Sequence, residues 1–245
     1  MTPRPFAPAL PHGEIRQVME NTYFVTGTFS MSGPVTFRFS RNMVVLRNGE
    51  ELTLVNTVRL NDEGLQQLDT LGQVKHIIRL AGFHGMDDPF YKERYGAKVW
   101  SVNAPYAKGT STRPKEDDIY FSPDEYLTAE TELPVANAKI IELNSQPPEL
   151  LLYLDSAGGT IVAGDCLQHW HKTDEYFNFA AKAFMHLMGF IKPYNIGPGW
   201  LKFAKPDREQ LKAALSVKFN NVLPAHGDPV LGNADKLYQP VIHGL

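Results

Sequence analysis

The chain has 245 residues, 43% hydrophobic and 21% charged, with a formal net charge of −3; this is an ordinary globular profile, long enough for one large domain or two small ones. With so weak a charge and no Lys/Arg stripe interleaved with aromatics, no nucleic-acid partner is expected; no apolar run approaches the roughly 20 residues of a spanning helix, so no membrane partner is expected either. The one cysteine, Cys166, excludes an internal disulfide and a cysteine-rich zinc site, and it fits a reducing, cytoplasmic compartment.

Met1–Pro11 is Pro-rich without the apolar core of a secretory signal, and residues 1–20 are read as an arm along the surface. Strands are expected at Tyr23–Thr26 and Thr36–Phe39. Met43–Leu46 and Leu52–Val55 flank Arg47-Asn48-Gly49-Glu50, and Asn-Gly between apolar runs is a strong hairpin signal. Asp62 is expected to cap a helix with Leu65, Leu68 and Leu71 on its apolar face and Gly72 at its end. A strand over Val74–Leu80, a short helix over Pro89–Tyr95 and a strand over Ala97–Val102 give a strand–helix–strand unit, hence an α/β class. Gly109–Asp124 reads as a long polar loop. Lys139–Leu143, Leu150–Leu154 and Thr160–Ala163 read as strands, with Asp155–Gly159 as a turn. Phe177–Met188 has a helical period, Asp207 can cap a helix through Leu211 and Leu215, and Asn221–Leu223 is the last strand. Asn233 is expected to cap a final helix ending near Pro240. With no repeat and no boundary signal, residues 1–245 are read as a single domain with two sheet-bearing halves.

Three short pieces carry the chemistry. Phe83-His84-Gly85-Met86-Asp87-Asp88, Gly164-Asp165 and Ala225-His226-Gly227-Asp228 each follow an apolar, β-branched run. Strand ends that each deliver a His or Asp gather metal ligands at one rim of a sheet.

This order of parts resembles the metallo-β-lactamase fold superfamily, from about Tyr23 to the C-terminus. Val58-Arg59-Leu60, Leu71-Gly72-Gln73-Val74-Lys75-His76 and Tyr95-Gly96-Ala97-Lys98-Val99-Trp100 look most similar to a branch of DUF4336-like proteins. The resemblance implies a four-layer αββα sandwich with a metal site along one edge of the two sheets. It also implies a degenerate site. Where the family has His-x-His-x-Asp-His, this chain has Gly82-Phe83-His84-Gly85-Met86-Asp87. No histidine lies between His84 and His169, and Asn56 stands where an aspartate is usual.

The ligands on offer are too few for a two-metal centre. A mononuclear site is expected from His84, Asp165, His226 and Asp88 (or Asp87), with Asp87 as the spare carboxylate that accepts a proton. Two imidazoles and a carboxylate suit Zn²⁺ or Fe²⁺, and a second carboxylate moves the preference toward Mn²⁺ or Fe²⁺. His169 or His171 is a substitute ligand from another loop. The plainer readings are that Asp87 or Asp88 caps the helix begun by Pro89, that His226-Gly227-Asp228-Pro229 is a turn, and that Cys166 is a small buried hydrophobe. His186 and the aromatics of Phe177–Phe190 read as packing, or as an exposed dimer or ligand-gating surface. Three functions follow: a metal-dependent hydrolase acting on a small molecule, an inactive relative that binds a ligand or partner in the same cleft without needing the ion, and a non-haem iron redox protein.

Overall fold

The computed structural model describes residues 6–108 and 114–245. In chain order the first sheet collects β1 (Arg16–Met19), β2 (Thr22–Met31), β3 (Phe37–Asn48), β4 (Glu51–Val55), β5 (Gln73–Arg79) and β6 (Lys98–Ser101). A ribbon of β7 (Tyr106–Ala107) and β8 (Ile119–Phe121) follows, and β9 (Glu125–Tyr126) then closes the sheet beside β6. The first four strands pair antiparallel, and β4, β5, β6 and β9 run parallel. The second sheet contains β10 (Ala138–Leu143), β11 (Glu149–Leu154) and β12 (Thr160–Ala163). A second ribbon, β13 (Leu167–Gln168) with β14 (Asn195–Ile196), precedes β15 (Asn221–Pro224) and β16 (Val230–Leu231), which complete that sheet in the order β10-β11-β12-β15-β16.

Side-chain alternation explains why the sheets stack. In β11, Leu150, Leu152 and Leu154 face the first sheet, where Phe24, Val44, Val55 and Ile78 meet them, while Leu151 faces outward. Helices α1 (Asp62–Leu71) and α2 (Asp88–Tyr95) cover the outer face of the first sheet, placing Leu65, Leu68 and Tyr91 against Val25, Leu54 and Ile77. After α3 (Phe179–Leu187), helices α4 (Pro198–Ala204), α5 (Arg208–Ala214) and α6 (Ala234–His243) cover the second sheet through Trp200, Leu211, Leu215 and Tyr238. The result is helix, sheet, sheet, helix, as expected. Strands covered on both faces read as continuous apolar runs, which is why β5, β12 and β15 stand out in the sequence.

Several local expectations are corrected. The strands expected at Thr36–Phe39 and Met43–Leu46 are one long strand, β3, which begins at Phe37, because its outer half remains paired with β2 through Met31 opposite Phe37. The hairpin between β3 and β4 takes its positive φ at Gly49 rather than Asn48. Asn61, not Asp62, caps α1, accepting from the Gly64 amide at 2.8 Å. Asn233 has a left-handed backbone and no side-chain cap, and α6 continues through Pro240 to His243. The expected arm is shorter than 1–20, since residues 16–19 are strand β1; residues 1–5 lie outside the described residues. Of the loop expected over Gly109–Asp124, residues 109–113 lie outside the described residues and Ile119–Phe121 are β8. Among the described residues no helix is long and apolar enough to cross a membrane.

Leu152 is fully buried between the sheets. Leu152→Ala is expected to lose about 2–5 kcal/mol, read as a lower urea midpoint at unchanged slope.

Candidate metal centre

The site forms because β12 and β15 are parallel neighbours, with Ala163 opposite Pro224. Parallel strands end at the same rim, so Asp165 and His226, each two residues beyond these partners, emerge side by side. His84 comes from the first sheet, at the end of β5. Backbone pairing across the rim brings the two sheets' loops together: Gly82 donates to Pro148 at 3.1 Å, Leu150 to Leu80 at 2.8 Å, and Asn42 to Ala225 at 2.8 Å. Asn56, buried with φ 55°, ties both sides by donating to the Ala163 carbonyl at 3.1 Å and accepting from the Leu80 amide at 3.3 Å. Gly227 follows His226 with φ 92°, and a side chain there would collide with the His169 carbonyl.

The ligand atoms of His84, Asp165 and His226 all lie within 4.8 Å of one another. Asp165 Oδ1 is 3.4 Å from His84 Nε2 and 3.1 Å from His226 Nε2. His226 is oriented by its other nitrogen: Nδ1 lies 3.1 Å from the Ser40 carbonyl, which can only accept, so Nδ1 donates there and the ring turns Nε2 toward Asp165. Phe39 and Trp170 flank the imidazole at ring distances of 6.0 and 5.2 Å and keep water from one side of it. Burial raises the Asp165 carboxyl, but the two imidazoles outweigh burial and hold it well below the usual carboxylate range.

The other expected participants are elsewhere. Asp88 does not join the three: it is fully buried, its Oδ1 accepts from Thr57 at 2.5 Å and its Oδ2 from Tyr106 at 2.6 Å. Burial pushes its carboxyl above the ordinary value despite these two donors. Asp87 sits at the start of α2 without capping it; its Oδ2 pairs with Arg41 and accepts the Arg59 amide at 2.8 Å. His169 stacks on Tyr194 at 4.5 Å and spends Nδ1 on the Tyr194 amide, and neither it nor His171 enters the cluster. Cys166 is buried, as its plainer reading held, while His186 is exposed and bonds the Lys182 carbonyl.

One residue of the site escaped the sequence reading. Glu149 is buried at the start of β11 and bridges Ala81 through its backbone. Its Oε1 accepts from the Cys166 amide at 2.8 Å, and its Oε2 has no protein partner. It therefore braces the His84 loop against the Asp165 loop. A lone carboxylate heading an otherwise apolar strand was the signal that could have found it. Burial first, and the Asp165 charge second, push its carboxyl up to about 8.

No family model matches the sequence, and no curated protein matches it. Solved structures do match. The metallo-β-lactamase DIM-1 superposes with a TM-score of 0.61 at 13% identity, covering 96% of this chain and 99% of that one. The metallo-β-lactamase FIM-1 from Pseudomonas aeruginosa, in its mono-zinc form, gives 0.60 at 10% identity, covering 97% of each chain. A metallo-β-lactamase from Hirschia baltica gives 0.56 at 15% identity, covering 94% and 97%. This chain has the metallo-β-lactamase fold. Within that fold the three convergent side chains sit along the edge of the two sheets, where the resemblance placed a metal site, and they are one carboxylate and two imidazoles that could hold a divalent ion.

A carboxyl raised in the folded state favours folding below its ordinary pKa and loses that contribution as pH rises through the folded value. Metal-free protein is therefore expected to lose the stability contributed by Glu149 between its ordinary 4.5 and about 8. Subtracting the stability–pH curve of Glu149→Gln, measured by denaturant titration, should isolate that slope.

Proposed function

We propose that the chain is a metal-dependent hydrolase of small molecules with a mononuclear centre held by His84, Asp165 and His226. The observation that carries this reading is the convergence of these three side chains within 4.8 Å from three separate strand ends. A mono-zinc structure among the neighbours of the same fold supports the single-ion form. The finer placement in a divergent branch similar to the DUF4336-like proteins rests on Val58-Arg59-Leu60, Leu71–His76 and Tyr95–Trp100, and the reduced ligand set on the single histidine of the first motif and on Asn56.

A bound divalent ion, Zn²⁺ or alternatively Fe²⁺ or Mn²⁺, would supply Lewis acidity and acidify water at an open position. The chain's residues do the rest. The Ser40 carbonyl accepts from His226 Nδ1 and keeps Nε2 aimed at the Asp165 side of the centre. Asp165 stays ionised and supplies the only negative charge of the three. Asp87, expected from the sequence as the proton acceptor, has its Oδ2 held by Arg41 and the Arg59 amide, which favours a second reading: a ligand-binding relative without turnover.

Purified protein is expected to contain about one divalent ion per chain by plasma mass spectrometry, and His226→Ala to lower its affinity by at least about tenfold. Equal metal content in both proteins would remove the site. Metal without turnover of ester, lactone or phosphodiester substrates would leave the second reading in place.

A further inference from the structure

We propose that the outward face of α3, with Phe203 of α4 beside it, is a docking surface for an anionic lipid bilayer. Helix α3 is apolar on both faces. Its buried residues, Ala181 and Met185, pack on Trp170 and Phe177. The opposite face carries Phe179, Ala183 and Leu187, one turn apart, where a surface helix ordinarily places charge. Phe179 is 87% exposed and Leu187 85%. The helix is held firmly in this pose. Asn178 caps it, accepting from Ala181 at 2.9 Å and donating to Thr36 at 2.8 Å, and Phe184 packs on Phe37 of β3 at a ring distance of 5.2 Å. At its C-terminal end Phe190 fills the space a side chain would need at Gly199, and Phe203, one turn further along α4 and 66% exposed, extends the patch.

The charge along these helices argues for the occupant. The chain has 27 acidic residues and a net charge of −3, yet none of those acids falls in residues 177–206, which carry α3 and α4, or in residues 21–49, which include the Phe37 end of β3; Asp174, Glu175 and Asp207 border the first segment. Lys182, Lys192, Lys202 and Lys205 lie in the first segment. In a two-fold dimer this lysine-bearing face would be opposed to a second copy of the same charge, so another chain fits poorly. A bilayer containing anionic lipid fits both features: phenyl and isobutyl groups enter the acyl boundary while lysine stems reach back to the phosphates. Such docking needs no spanning helix, which was the sole ground for expecting no membrane partner. It is independent of any metal at the candidate centre.

The test is flotation of the full chain with vesicles of phosphatidylcholine, alone or mixed with phosphatidylglycerol. Binding is expected only to the mixed vesicles, to be lost at high salt, and to fall about fivefold for each of Lys182→Ala and Lys202→Ala. Leu187→Glu should abolish it without shifting the melting temperature, because the replaced side chain is exposed. No binding, equal binding to both vesicle types, or full binding by Leu187→Glu would overturn the proposal. So would a concentration-dependent dimer that Leu187→Glu dissociates, or binding to polyglutamate in solution with none to vesicles.

Discussion

The pairing of β12 with β15 is the constraint on which the candidate centre depends. Strands that run parallel and in register finish at the same rim, and two residues further on each delivers one polar side chain. A one-residue slip would turn Asp165 or His226 to the opposite face of the sheet. The third group must come from the other sheet, and there the tolerance is set by hydrogen bonds rather than by register. Asn56, Glu149 and the Leu80–Gly82 segment hold β5 against β11 and β12 tightly enough that His84 reaches the same carboxylate oxygen as His226.

That arrangement concentrates polar groups where the fold is otherwise apolar. Asp88 and Glu149 are both buried carboxylates, and the structure treats them differently. Asp88 meets two hydroxyl donors, with the Arg79 guanidinium stacked on the Tyr106 ring at 4.0 Å nearby. Glu149 meets one backbone donor and leaves an oxygen without a protein partner. Burying an incompletely satisfied carboxylate costs stability unless it takes up a proton, and that trade links the rigidity of the Asp165 loop to pH.

The architecture was legible because both-face burial writes itself as apolar runs, and the runs before His84, Asp165 and His226 are the strands that gather them. Hairpin and helix existence could be read from Asn48-Gly49 and from the Leu65/Leu68 spacing. Capping detail could not: Asn61 and Asp62 are chemically alike as caps, and only the chain's entry angle decides between them. The assignment of Asp88 missed for a related reason. A carboxylate beside two metal-motif residues looks like a ligand in one dimension, while Thr57 and Tyr106, which claim its oxygens, are distant in sequence. Short helix α4 has too few periodic positions to announce itself.

Ser40 illustrates a different kind of inheritance. The group that accepts from His226 Nδ1 is a main-chain oxygen, so no substitution at position 40 deletes it. What specifies the direction of that imidazole is the alignment of β3 beside the His226 loop, fixed by Asn42 reaching the Gly227 and Pro224 carbonyls at 2.7 and 3.0 Å. The Ser40 side chain has a separate task, its Oγ accepting from Trp170 Nε1 at 3.0 Å beside the same imidazole, so a side-chain scan at position 40 would report on Trp170 and miss the main-chain contact; a proline at position 42, which removes the amide that docks the strand on Ala225, would find it.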